Sequence, residues 1–150
     1  MTETVIMPPA TGPRRRRGPF IPPLLVIPFL IYNIIGFTMY GQDPSRWADR
    51  IFQIRMVSGI EWALTSGDLM LVVGLVCLFF EVLKSTNTGR SSIVEHMLST
   101  ALFVVFLIEF LLIGATASSV FFLLMAMSLV DVVAGFSISI TGAGRDVTME

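Results

Sequence analysis

Apolar residues fall along the chain in long blocks separated by short polar segments, rather than at the spacing of a one-sided soluble helix. The first block, about Pro23 to Tyr40, predicts a helix. Pro22 and Pro23 suit its start, where a missing N–H costs little. Pro28 lies just over a turn in and is expected to bend it, and Asn33 is its only strongly polar side chain, able to bond to a neighbouring helix. A second helix is predicted over about 68–84, opening at Thr65-Ser66-Gly67-Asp68, where a hydroxyl or carboxylate caps exposed N–H groups. From Asp68 to Lys84 it is somewhat shorter than the ~20 residues of a usual span, so it crosses with little tilt or begins earlier, within Ile60 to Thr65, which would shorten a β-hairpin in the preceding segment. A third helix is predicted over about 93–113, capped by Ser91 or Ser92 with Glu95 in its first turn. The fourth, about 119–140, is ended by Thr141-Gly142-Ala143-Gly144. Only the small residues from Gly114 to Ser119 join helices three and four, which are therefore an antiparallel pair with a tight turn.

Residues 41–66 are the sizeable segment between apolar blocks, and two readings compete. As a helix, Trp47, Ile51 and Ile54 share a face that lies on the bilayer. As a β-hairpin, Ile51 to Val57 and Ile60 to Thr65 flank Ser58-Gly59, a two-residue turn signal. The β-branched and aromatic residues favour strands, so the expectation is a short interfacial helix near Pro44–Arg50 followed by the hairpin. Tyr40 and Trp47 suit the membrane interface, where an amphipathic ring has one wet edge.

Composition agrees with the blocks: 54% of residues are hydrophobic and 14% charged, against about 25% charged in soluble domains, and mean hydropathy is +0.80. The expected fold class is an all-α membrane protein, a four-transmembrane-helix bundle over residues 20–141 with a short outer segment between helices one and two. Residues 1–19, with Pro8, Pro9, Pro13 and the run Arg14-Arg15-Arg16-Arg17, read as a disordered basic tail, and residues 142–150 as a second tail. A basic run before an apolar block also begins a signal peptide. No small-residue cleavage site follows this block, which ends Phe37-Thr38-Met39-Tyr40, so a signal-anchor helix is the better reading.

With the N-terminus inside, Arg14, Arg15, Arg16, Arg17, Lys84, Arg90 and Arg145 lie on the cytoplasmic side and Arg46, Arg50 and Arg55 opposite. The four-arginine cluster sits beside the first helix, where the bias counts most. Four spans then place both termini in the cytoplasm, and the imbalance argues against dual topology. The net charge of −1 gives no field to attract nucleic acid. Cys77 is the single cysteine and lies in an apolar run, so it has no intrachain disulfide partner and reads as a small buried hydrophobe.

Charges inside a bilayer each cost a few kcal/mol, so they are the candidates for function. Asp131 is the deepest, roughly 2–3 Å from the centre of the fourth helix at the rise of an α-helix. Ser128, Asp131, Gly135 and Ser139 share one face, whose small residues admit another helix closely. Asp131 reads as a proton or cation site, or as a buried carboxyl that fixes packing by bonding to Ser and Thr of the third helix. In a symmetric pair it faces the level of Leu102, near Ser99 and Thr100, and lies about 10 Å in depth from Glu109. These two are therefore not expected to form a dyad, while Glu109 reaches the interface or the first two helices. Glu81 and Lys84 suit a local ion pair with Lys84 snorkelling to water. Asp68 suits a helix cap, and Glu95 with His96 a solvated helix start, or else a pH-sensitive pair. A single histidine excludes bis-histidine haem and a His-rich metal cluster within one chain. No nucleophile elbow, P-loop, H-E-x-x-H or Cys pair is present. Neither an enzyme nor a cofactor or metal is expected.

Gly67-Asp68-Leu69, Phe80-Glu81-Val82-Leu83-Lys84-Ser85-Thr86, Ser92-Ile93-Val94-Glu95-His96 and Asp131-Val132-Val133-Ala134-Gly135-Phe136 together resemble a group of small, uncharacterised four-helix inner-membrane proteins of proteobacteria. The resemblance covers about residues 24–147 and implies a bacterial inner-membrane location and no particular chemistry. The expected function is non-enzymatic: association within the lipid bilayer, as an accessory subunit or scaffold, with other membrane proteins or with itself. The alternative is an oligomeric proton- or cation-coupled small transporter using Asp131 and Glu109.

Overall fold

The computed structural model describes residues 22–85 and 91–147, with the side chains of 91–93, 139 and 141–147 left aside. Its elements, in order, are α1 (Val26–Thr38), a 3-10 turn (Pro44–Ala48), β1 (Arg50–Arg55), β2 (Glu61–Thr65), α2 (Ser66–Ser85), α3 (Ser91–Leu112), a second 3-10 turn (Gly114–Thr116) and α4 (Ser119–Val147). The protein is thus mostly helical with one two-stranded sheet. Three helices are long and apolar enough to cross a membrane: Ser66–Ser85, Val94–Leu112 and Ser119–Ile138.

The first helix is shorter than its apolar block. α1 has 13 residues, about 20 Å at the rise of an α-helix. It begins at Val26 after a turn in which Val26 N–H bonds Pro23 O and Ile27 N–H bonds Leu24 O. Pro28 therefore falls in the first turn, where no intrahelical partner awaits its missing N–H, and the expected bend has no cause. At the other end Gly41 and Gln42 take positive φ and turn the chain away.

α2 starts at Ser66, two residues before Asp68 and after the 60–65 range of the earlier alternative, where β2 lies instead. Thr65 and Asp68 form a capping box: Asp68 Oδ2 accepts from Thr65 N–H at 2.9 Å and from its hydroxyl at 2.7 Å, and Thr65 Oγ1 accepts from Asp68 N–H at 3.1 Å. The reciprocal cap lets the helix follow β2 with no linker and reach 20 residues. α4 runs to Val147 instead of ending at Ile140. Each glycine in a helix costs only about 1 kcal/mol, so Gly142 and Gly144 do not stop it.

The segment before α2 folds as a 3-10 turn and a hairpin, without the long amphipathic helix. The hairpin turn differs from the two-residue expectation. Met56 N–H bonds Ile60 O, Gly59 N–H bonds Met56 O, and Gly59 takes φ 84°. The loop is therefore Val57-Ser58-Gly59, a type I turn closed by a left-handed glycine.

α4 is the central helix, packed against both α2 and α3, while α1 lies along α2 and touches the turn between α3 and α4. The core joins Leu25, Tyr32, Trp47, Met70, Leu102, Phe106, Phe121 and Leu124. Trp47 is buried and lacks the expected wet edge, its ring stacked 4.4 Å from that of Tyr32. Tyr32 in turn shares a 2.7 Å hydrogen bond with the Ser118 hydroxyl, which also caps α4 by accepting from Phe121 N–H. Close packing of α2 on α4 depends on two glycines. A Cβ on Gly67 would lie 2.6 Å from Val120 Cγ2 and one on Gly74 2.5 Å from Leu124 Cδ2. The opposite faces of α2, α3 and α4 expose Val72, Phe79, Ile108, Leu111, Val133 and other large apolar side chains, as surfaces facing lipid do.

Candidate functional site

The ionisable side chains inside the bundle gather at the end where α2 stops and α3 starts. Buried residues of α2 recur at Gly67, Met70, Gly74 and Glu81, so the stripe that packs against α4 delivers Glu81 inward. Both carboxyl oxygens of Glu81 are used. Oε2 accepts from Leu24 N–H at 2.8 Å, and Oε1 lies 2.8 Å from Lys84 Nζ. The expected local pair is thus present, yet Lys84 does not simply reach for water. Its ammonium also lies 3.8 Å from Glu95 Oε2 on α3, and its side chain is only 17% exposed.

On α3 the buried positions include His96, Ser99, Leu102 and Phe106. His96 is not part of a solvated helix start. A Cβ on Gly135 would lie 2.5 Å from His96 Nδ1, so glycine at that position lets the imidazole lie against the backbone of α4. The His96 ring also stacks 6.2 Å from Phe136.

α4 contributes Ser128 and Asp131, buried one turn apart on the face that also carries Gly135. Asp131 is 3% exposed. Its carboxyl faces Ser99 and lies within electrostatic reach of Glu81, Lys84 and His96. Asp131 Oδ2 and Ser128 Oγ are both buried without a hydrogen-bond partner. Asp131 is therefore buried with one carboxyl oxygen left unbonded. A groove of about 540 Å³, lined by Trp47, Gly67, Asp68 and Ser118, lies at the opposite end of α2. An apolar groove lies on the outward side of α2, along Leu75, Val76, Phe79 and Phe80.

Glu109 stands apart from this cluster. Its Oε2 accepts from Asn33 Nδ2 at 3.0 Å, tying α3 to α1. Asn33 Nδ2 also donates to Phe29 O, and its Oδ1 is buried without a partner. Of Asp131, Glu109, Ser128 and Glu81, the structure brings together Glu81, Ser128 and Asp131 and leaves Glu109 elsewhere. Ser139 and Arg14 to Arg17 lie outside the described side chains. Lys84, Glu95 and His96 belong to the cluster, although sequence reasoning assigned them to the aqueous boundary. Among the described residues no group of three His, Cys, Asp or Glu side chains is placed to hold a metal ion.

Outside the helices, the hairpin has two unlike faces. The register pairs Phe52 with Leu64 and Ile54 with Trp62, and Met56 and Ile60 close that side at the turn. Alternation along a strand makes this one continuous apolar face. The other face pairs Gln53 with Ala63 and Arg55 with Glu61, and Gln53 Nε2 donates to Glu61 Oε2 at 2.6 Å. Phe52, Ile54, Met56, Ile60 and Trp62 are each between 47% and 68% exposed. The chain matches no family model, no curated protein and no solved structure.

Proposed function

We propose that this is a four-span protein of the bacterial inner membrane, with both termini in the cytoplasm, that works by association as an accessory subunit or scaffold. The observation that carries the reading is the uncovered apolar face of the hairpin. An isolated two-stranded sheet is marginal in water, and contiguous exposed apolar surface marks an interaction site. The long apolar helices already suffice to anchor the chain, so the face is not needed for holding lipid. Its occupant in this reading is another membrane protein that presents an apolar patch at the same height above the bilayer.

Four spans are supported by the course of α1. Leu24 is bonded to Glu81 near one end of α2, and Trp47, just beyond α1, packs at Gly67 near the other. The segment from Leu24 to Tyr40 thus runs the depth of α2, although only its middle is regular helix. The charge bias supports termini inside, with seven Lys and Arg against three. The resemblance to small proteobacterial inner-membrane proteins supports the location. Three of the four segments on which it rests supply Glu81, Lys84, Glu95, His96 and Asp131 to one cluster.

The test is a photo-crosslinking residue at Ile54, on the apolar face, compared with one at Gln53, on the polar face. Cross-linking to a second protein from Ile54 and not from Gln53 supports the reading. Products with a second copy, or with lipid alone, replace the partner by that occupant.

A second reading, proton-coupled transport through an oligomer, is favoured by the unpartnered Asp131 oxygen. Under it, an Asp131→Asn variant loses pH-dependent flux in liposomes.

A further inference from the structure

We propose that the cluster of Glu81, Lys84, Glu95, His96 and Asp131 is a proton-binding site, occupied at neutral pH by one proton on the Asp131 carboxyl. The inference deepens the transport reading but requires no solute to move, and it is independent of what covers the hairpin.

The argument rests on geometry and charge balance. Three carboxyls enter the cluster: Glu81 from α2, Glu95 from α3 and Asp131 from α4. Lys84 supplies one ammonium, paired 2.8 Å from Glu81 and 3.8 Å from Glu95. α1 presents no described charged side chain here and contributes the Leu24 N–H to Glu81. Cys77, a turn before Glu81, adds a thiol and no cation. Among the described side chains, full ionisation of the three carboxyls therefore exceeds the positive charge that Lys84 and His96 together could supply, and Asp131 has no ion pair there. Isolated charge is expensive in such surroundings.

Asp131 is the member built to take the proton. Both oxygens of Glu81 are engaged by donors, whereas Asp131 Oδ2 is buried with none. Ser128, buried on the same face, also has an unpartnered hydroxyl oxygen. Adding one proton from the aqueous phase to Oδ2 gives a neutral carboxyl with an O–H donor, and no other bond forms or breaks. Lys84 is then left to two carboxylates instead of three. The partial exposure of Lys84 and Glu95 gives the proton a route from the cytoplasmic boundary.

The full-length protein in mild detergent, examined by infrared spectroscopy at neutral pH, tests this. The carbonyl-stretch band of a protonated carboxyl should be present in the wild type, absent in Asp131→Asn and displaced in Asp131→Glu. If the Asn variant does not fold, the displacement in the Glu variant reads the same band. Lys84→Gln removes a nearby positive charge, so the band should persist to higher pH in that variant than in the wild type. Identical spectra for the wild type and every folded Asp131 variant overturn the proposal. A band whose pH dependence is unmoved by Lys84→Gln overturns the assignment of the proton to the cluster.

Discussion

Glu81 Oε2 accepts a hydrogen bond of 2.8 Å from the backbone N–H of Leu24, so a carboxylate near the end of α2 holds the start of α1. The same carboxylate pairs with Lys84, which extends to Glu95. Glu81 and Lys84 thus tie α2 to the start of α1 and to α3, with α4 completing the cluster through Asp131.

Removing that carboxylate should loosen the bundle. Breaking one partner of a buried pair costs about 3–5 kcal/mol, since the other charge stays behind. Glu81→Ala is expected to lower stability by about this amount, measured by thermal unfolding in detergent. Adding Lys84→Met should recover part of the loss, because it removes the partly buried ammonium whose closest carboxylate has gone.

Gly67 should tolerate a methyl group worst of the helix glycines. Its added Cβ would meet Trp47 O, a backbone atom, at 2.9 Å as well as Val120, whereas the neighbours of Gly74 are ends of flexible side chains. Overpacking typically costs about 1–3 kcal/mol, and alanine returns up to about 1 kcal/mol of helix propensity. Gly67→Ala is therefore expected to lower the unfolding temperature, with Gly74→Ala closer to neutral, in parallel melting curves.

The turn ahead of the hairpin should weaken in acid. Asp43 Oδ1 accepts from Ser45 N–H and from the Ser45 hydroxyl, and these bonds hold its carboxyl below the usual range. A depressed value in the folded state means the stabilisation is present above the unfolded value and fades as pH falls through the folded one. The Ser45 amide signal should shift as Asp43 protonates. Asp43→Asn, which keeps an acceptor oxygen, should lose that titration and keep the turn.

Much of the fold was legible because long apolar runs need few partners to be recognised. The second, third and fourth helices and the β content of residues 51–65 follow from run length and residue type. Asp131 stood out because a charge within such a run has no cheap local answer. The cluster around it was not legible in the same way. Glu81, Lys84, Glu95 and His96 lie near the ends of their runs, where access to water explains any charge. Their inward placement is set by how α2 and α3 cross α4. The signal was the seven-residue recurrence of Gly67, Gly74 and Glu81, with Gly135 on α4 leaving room for His96. The burial of Trp47 was not legible for a similar reason: an aromatic after an apolar run suits a wet edge, and only the return of the chain over Tyr32 covers it.

The proposed action of the protein is association through the apolar face of its hairpin. The most direct test is the protein mass of particles purified from native membranes in mild detergent, compared between the wild type and Ile54→Asp. A charge at the centre of that face should cost at least about 2 kcal/mol of binding, as loss of a central contact residue does. The wild type is expected to carry a second membrane protein in fixed proportion and the variant to run without it. A wild type that runs alone, or the same composition in both, would contradict it.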